Sequence, residues 1–179
     1  MSVVDELAAL MADKGQRNYG ENVTIAEHVL LTAGAAQAQG ASDTLIAACL
    51  LHDVGHWFDD PDDDFGIHAH GDTGGAWVAE RFEPAVAEPV RLHVEAKRYL
   101  CAVDPEYHDR LSSASQYTLT QQNGPMGIDE VAAFEANKYF QDAVALRVFE
   151  DDHGKKTGTP VPLLKDFAAL LLQLANDDC

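Results

Sequence analysis

The sequence predicts an all-α chain. Apolar residues recur at helical spacing in one segment after another, as in Leu45, Ala48 and Leu51. Hydroxyl residues that open helices stand just ahead of several such runs. No stretch shows the apolar–polar alternation of a half-buried strand, and no internal repeat or linker interrupts the 179 residues, so one domain over 1–179 is expected.

The elements follow in order. Val3 to Met11 reads as a short amphipathic helix. Thr24 and Glu27 stand at capping-box spacing, so a helix is expected to start at Thr24 and stop near Gly40, with His28 in its first turn. Ser42 or Asp43 caps the next helix, which runs through Leu51 and His52 until Gly55 lets the chain leave it. Phe58 to His70 is acidic and rich in loop residues, as in Asp59-Asp60-Pro61-Asp62-Asp63-Asp64. A helix is expected from Asp72 to Phe82 and another from Pro84 to Leu100, with Pro89 forcing a restart or kink. Asp104 to Met126 is polar and reads as irregular, with a turn at Gly124-Pro125. Asp129 to Asn137, Phe140 to Asp151 and Leu163 to Leu174 close the chain as helices.

Composition excludes several functions. A net charge of −18 argues against nucleic acid and acidic membranes, whose phosphates it would repel. It does not forbid a small anion, because a few local cations override a distant field. Cys49, Cys101 and Cys179 are scattered, with no CxxC, which suits reduced thiols in a cytoplasmic protein. Asp5 and Glu6 replace the basic start of a signal peptide, and no apolar run approaches membrane-spanning length.

The chemistry is concentrated in Leu50-Leu51-His52-Asp53-Val54-Gly55-His56. An imidazole and a carboxylate lie side by side at the end of an apolar helix. His28 lies upstream, and His70 and His93 lie downstream, on other expected helices. A carboxylate such as Asp53 can bridge two cations while separate histidines hold each. The late run Glu150-Asp151-Asp152 offers a further acid. Such an oxygen and nitrogen set without thiolate suits Fe, Mn or Zn. A lone His-Asp pair is weak evidence, since a buried histidine is more often hydrogen-bonded core. His108 and His153 read as solvated residues, His68 competes with His70, and His56 lies past the helix end.

The pattern His28…His52-Asp53…Asp151 resembles the HD-domain superfamily, a helical bundle most of whose members are phosphohydrolases. Two longer runs resemble one branch of it. His93-Val94-Glu95-Ala96-Lys97-Arg98-Tyr99-Leu100 is similar to that branch's HVxAKRYL run. Leu111 to Leu119, followed by Gln122-Asn123-Gly124-Pro125-Met126, is similar to its LSxAS…TL…QGGPM segment. The branch is that of the PhnZ/TmpB-type mixed-valence diiron oxygenases, relatives of myo-inositol oxygenase. The resemblance spans about residues 18 to 156.

It implies an Fe(II)/Fe(III) pair that uses O2 to cleave the carbon–phosphorus bond of a 1-hydroxy-2-aminoethylphosphonate or its trimethylammonio form. One iron would be held by His28, His52, Asp53 and the late acid. The other would be held by His70 and His93, with Asp53 bridging. His70 rather than His68 keeps the family spacing to Gly74. Counting forward from Arg147 makes the late acid Glu150; counting back from Gly154-Lys155 makes it Asp151, which is taken as the ligand. Lys97, Ser115 and Arg147 match phosphonate-contacting positions, with Gln122 beside them and His56 near the metals. The family tyrosine that plugs an iron aligns with Asn18, and Glu21 matches that loop's acidic partner. The smaller Asn18 would leave room for a quaternary ammonium, near Tyr19 and Glu21. The alternative is a metal-dependent phosphohydrolase of a phosphate ester or nucleotide at the same ligands.

Overall fold

Ser2, Thr24, Ser42 and Ser112 each open a helix by the same device. Their side-chain oxygens accept the backbone N–H of the residue three positions on, at 3.2 to 3.3 Å. Each satisfies one of the amides that a helix start leaves without an internal partner. In a computed structural model that describes residues 1–18, 22–58 and 70–176, the described residues form helices joined by turns, with no strand among them. The helices are α1 (Val3–Asp13), α2 (Ile25–Ala38), α3 (Asp43–Leu51), α4 (His70–Ala79), α5 (Pro84–Val103), α6 (Tyr107–Arg110), α7 (Ser113–Gln121), α8 (Ile128–Glu135), α9 (Phe140–His153) and α10 (Leu164–Leu174). A 3-10 turn, Val54–Trp57, follows α3. Among the described residues the only extended pairing is two isolated bridges, Asn18 with Thr24 and Phe82 with Ala175.

Helix α3 is the axis of the bundle. Every residue from Leu45 to Leu51 is buried. A helix apolar on all sides belongs inside, and α2, α5, α9 and α10 surround this one. Helix α4 lies along α5, and α5 along α9. One apolar cluster runs from Leu7 on α1 through α2 to α5 and on to Phe167 and Leu171 on α10. The histidine-bearing ends of α2, α3 and α4 and the middle of α5 are therefore set against the same core.

Three expectations change. The segment 104–126 is not irregular: it holds α6 and α7. On α7 only Ser115 and Leu119 are buried, so its apolar stripe is too narrow to show a period. The helix rests instead on its Ser112 cap, and it is followed by Asn123 and Gly124, both at φ 69°. Second, α5 does not restart at Pro89, which is buried inside one continuous helix; Pro84 occupies the first turn, where a missing N–H costs nothing. Third, Gly55 serves close approach rather than release of the chain. A Cβ there would lie 2.0 Å from the His70 carbonyl oxygen. The 3-10 turn and the start of α4 thus touch backbone to backbone, and α4 begins at His70, two residues before the expected start.

Candidate metal centre and anion pocket

Asp53 sits where four histidines converge, fully buried. Its two oxygens face different partners. Oδ2 lies 3.5 Å from His28 Nε2 and 3.4 Å from His52 Nε2. Oδ1 lies 3.6 Å from His93 Nε2 and 3.9 Å from His70 Nε2. Two overlapping buried ligand groups result: His28, His52 and Asp53, and Asp53, His70 and His93. Helix α2 supplies His28 from its first turn, α3 supplies His52 and Asp53 at its end, α4 begins at His70, and α5 carries His93.

The tautomers are fixed from behind. Nδ1 of His28 donates to the Gly154 carbonyl, that of His52 to Cys49 and that of His93 to Val90, at 2.9, 2.9 and 2.6 Å. A carbonyl only accepts, so these Nδ1 atoms carry protons, and in the neutral form of each of these three rings Nε2 points its lone pair inward. His28 and His52 face each other Nε2 to Nε2 at 3.1 Å, and His70 and His93 do so at 3.0 Å. Contacts this short between ring nitrogens need a proton or a cation shared by the two rings. Neither Asp53 oxygen accepts a hydrogen bond, although both are buried. Inward lone pairs around a buried carboxylate without hydrogen bonds are what a metal ion satisfies. The cluster fits one.

Electrostatics agree. Burial lowers His28 to about 4 and His93 to about 3, which keeps them neutral. Burial also acts to lower His52, but Asp53 and Glu150 outweigh it and push this imidazole up to about 9, so without a cation it takes a second proton, which a bound metal would displace. Burial would raise Asp53, yet the surrounding imidazoles hold it well below the usual carboxylate range. Burial pushes the Cys49 thiol up, so it stays protonated behind His52.

The last acid is corrected by the geometry. Glu150, not Asp151, faces the histidines: it is 2% exposed and lies 4.0 Å from His28 Nε2 and 3.9 Å from His52 Nε2. Asp151 turns away. It accepts two bonds from Arg147, from Nε at 2.9 Å and Nη2 at 2.6 Å, and a very short one from the Tyr107 hydroxyl. Helix phase carries the signal that counting missed. Ala143, Leu146, Arg147 and Glu150 form the i, i+3, i+4, i+7 stripe that α9 buries, and Asp151 falls beside it. Gly154 completes the wall: a Cβ there would lie 2.6 Å from His28 Cε1 and from Thr32 Oγ1.

Arg147 is less available for substrate than expected. Its Nη1 also donates to Glu150, 2.9 Å from Oε1. It locks the two acids of α9 in place while lying 3% exposed. Lys97, one helical turn after His93, is equally buried and donates to Thr118 Oγ1 at 2.9 Å. Burial, then repulsion from Arg147, pulls its ammonium down to about 7. Ser115 is buried nearby and accepts from Lys155 Nζ at 2.8 Å. Thr118 and Lys155 stood inside the runs that the sequence reading quoted but were given no role there; Tyr107 was outside them, an ordinary polar residue without a motif of its own. Gln122 is buried and lines a cleft that also reaches His70. His56 stacks on His70, with ring centroids 4.1 Å apart, and its Nε2 lies 3.7 Å from Asp53 Oδ1. Asn18 is exposed and bridges to Thr24 at the start of α2. Tyr19, Glu21 and His68 lie outside the described residues.

A helical bundle that gathers four histidines around one His-Asp carboxylate defines the class of HD-type metal proteins. The HD domain model matches residues 24–121. Over 98% of its length the chain is 38% identical to 1-hydroxy-2-(trimethylamino)ethylphosphonate dioxygenase (glycine-betaine-forming) of Leisingera caerulea, covering 91% of that protein. It is 41% identical to hydroxymethylphosphonate dioxygenase of Gimesia maris, over 92% of this chain and 84% of the relative. An uncharacterized protein of Acanthamoeba polyphaga mimivirus is 31% identical over 97% and 82%. The chain belongs to the HD-domain family and groups there with phosphonate dioxygenases. No helix among the described residues is long and apolar enough to cross a membrane.

Proposed function

We propose that this protein is a diiron dioxygenase that cleaves the carbon–phosphorus bond of a 1-hydroxy-2-(trimethylammonio or amino)ethylphosphonate. The products are glycine betaine or glycine and phosphate. The observation that carries the reading is the division of Asp53, one oxygen toward each histidine pair, with a buried lysine one turn from His93. The 38% and 41% identities to two phosphonate dioxygenases support it.

In this reading His28, His52, Glu150 and Asp53 hold one iron, and His70, His93 and Asp53 hold the other. A mixed-valence Fe(II)/Fe(III) pair supplies Lewis acidity and the redox chemistry of O2. The protein's own residues do the rest. Lys97 and Ser115 bind the phosphonate, and Arg147 adds its charge while it holds Glu150 in place. The dry core of α2 to α5 excludes water from the reacting carbon. That carbon leaves as a carboxylate and the phosphorus as phosphate; one O2 is consumed and one proton released for each turnover. The N-trimethylated substrate is favoured by the match to the Leisingera relative. We place the enzyme in the cytoplasm on its free Cys49 and Cys101. We take it as one domain because α1 and α10 share one apolar cluster with α2 to α5.

The test is steady-state oxygen uptake with a panel of hydroxylated phosphonates, hydroxymethylphosphonate included, and phosphate assayed in parallel. Equal amounts of O2 consumed and phosphate released are expected. Phosphate release from a phosphate ester without oxygen uptake would replace this reading with a hydrolase.

A further inference from the structure

Lys155 follows α9 and reaches back to the cap of α7. Its ammonium donates to Ser115 Oγ at 2.8 Å and to Ser112 Oγ at 3.3 Å. Ser112 Oγ accepts the Ser115 amide at 3.2 Å and donates its own proton to Ser115 Oγ, also at 3.2 Å. A hydroxyl has two lone pairs and one proton. Both lone pairs of Ser115 Oγ are therefore taken, one by Lys155 and one by Ser112. The proton alone remains to be given, and no described residue accepts it.

The opposite wall repeats the imbalance. Thr118 Oγ1 accepts from Lys97 and gives its proton to the Ser115 carbonyl at 3.1 Å. An ammonium has three N–H groups, and this bond uses one of those on Lys97. The field at Lys97 is set by two further cations, Arg147 and Lys155, beside Glu150 and Asp151. A half-buried cluster with donors and cations to spare around the buried Ser115 and Lys97 is ready for an acceptor that can take several hydrogen bonds at once. A tetrahedral oxyanion supplies it.

We propose that Lys155 is a positioning residue of the phosphonate subsite. By filling a lone pair of Ser115 Oγ, it obliges the Ser115 hydroxyl to donate its proton to the substrate's phosphonate. That the anion is a phosphonate rests on the dioxygenase reading; that the pocket takes a tetrahedral oxyanion does not.

The experiment compares iron-loaded full-length wild type with Lys155→Met, Lys155→Arg, Ser115→Ala and the Lys155→Met/Ser115→Ala pair. It reads oxygen-uptake kinetics, iron content and calorimetric binding of inorganic phosphate. Lys155→Met is expected to raise KM about tenfold with kcat and iron content nearly unchanged, and Lys155→Arg to recover most of the loss. The paired variant should be no worse than Ser115→Ala, because Lys155 acts through that hydroxyl. An unchanged KM in Lys155→Met, or losses that simply multiply in the pair, would overturn the proposal and leave the dioxygenase reading standing. If wild type consumes no oxygen with any hydroxylated phosphonate, the dioxygenase reading falls and phosphate binding decides. Weaker binding in Lys155→Met then supports the oxyanion subsite, and equal binding overturns it. Should Lys155→Met fail to fold, Ser112→Gly removes the other donor to Ser115, keeps a residue that helix starts tolerate, and leaves Lys155 in place. A raised KM in that variant supports the same hydroxyl geometry, and an unchanged KM overturns it.

Discussion

Replacing Asp53 by Ala should empty both metal positions, because each histidine pair faces one oxygen of the same carboxylate. The measurement is iron per chain; one full equivalent retained would argue against a shared ligand. Glu150→Gln should lose metal while Asp151→Asn keeps it, since only Glu150 faces the imidazoles. The reverse result would restore Asp151 as the ligand. Lys97 gives a prediction in pH. Burial and Arg147 lower it to about 7, so it is charged below that value and neutral above it. An anion binds the charged form, so KM should be flat below about pH 7 and rise above it. In Lys97→Arg, which stays charged, that rise should vanish. At this scale the four histidines and Asp53 that the sequence singled out converge, and the late acid is the one displaced. His28, His52, His70 and His93 sit on four different helices, and each is marked by a neighbouring run. Glu150 and Asp151 are adjacent, and only the burial phase of α9 separates them.

The contact between the 3-10 turn and α4 can be broken at one atom. Gly55→Ala would place a Cβ 2.0 Å from the His70 carbonyl oxygen, and backbone cannot step aside as a side chain can. A loss of about 1–3 kcal/mol is expected, the usual range for overpacking. It would be read by chemical denaturation and accompanied by weaker iron retention at the His70 side. Thr24→Ala removes the cap of α2 and should cost about 1 kcal/mol, with a smaller effect on iron. Helices α1 to α5 and α8 to α10 were legible, by apolar spacing, by caps or by punctuating Pro and Gly. Helices α6 and α7 were not, because α6 is a single turn and α7 buries only Ser115 and Leu119. Yet α7 brings Thr118 to Lys97 and Ser115 to Lys155. The missed element thus carries the proposed oxyanion subsite, and it is held by a cap and by hydrogen bonds rather than by an apolar stripe.

For the whole molecule, the bound metal should act as part of the core. An apo form leaves both Asp53 oxygens buried without a hydrogen bond among imidazoles packed nitrogen to nitrogen, so folding and metal uptake are linked. Iron at about a hundred times its dissociation constant should stabilise the fold by about 2.7 kcal/mol, seen as a melting temperature that climbs with Fe(II) and falls with chelator. A melting temperature indifferent to both would place the metal elsewhere. The shared carboxylate has one more consequence. Glu150 stands on the His28 and His52 side, and the described residues show no such acid against His70 and His93. The first cation to arrive therefore prefers the side with two carboxylates, and it takes half of the only anion the second can use. If the proposed pair of metals binds, loading should be sequential and anticooperative: a metal titration should show two steps, with a half-filled species between them whose single ion is held by residues of α2, α3 and α9.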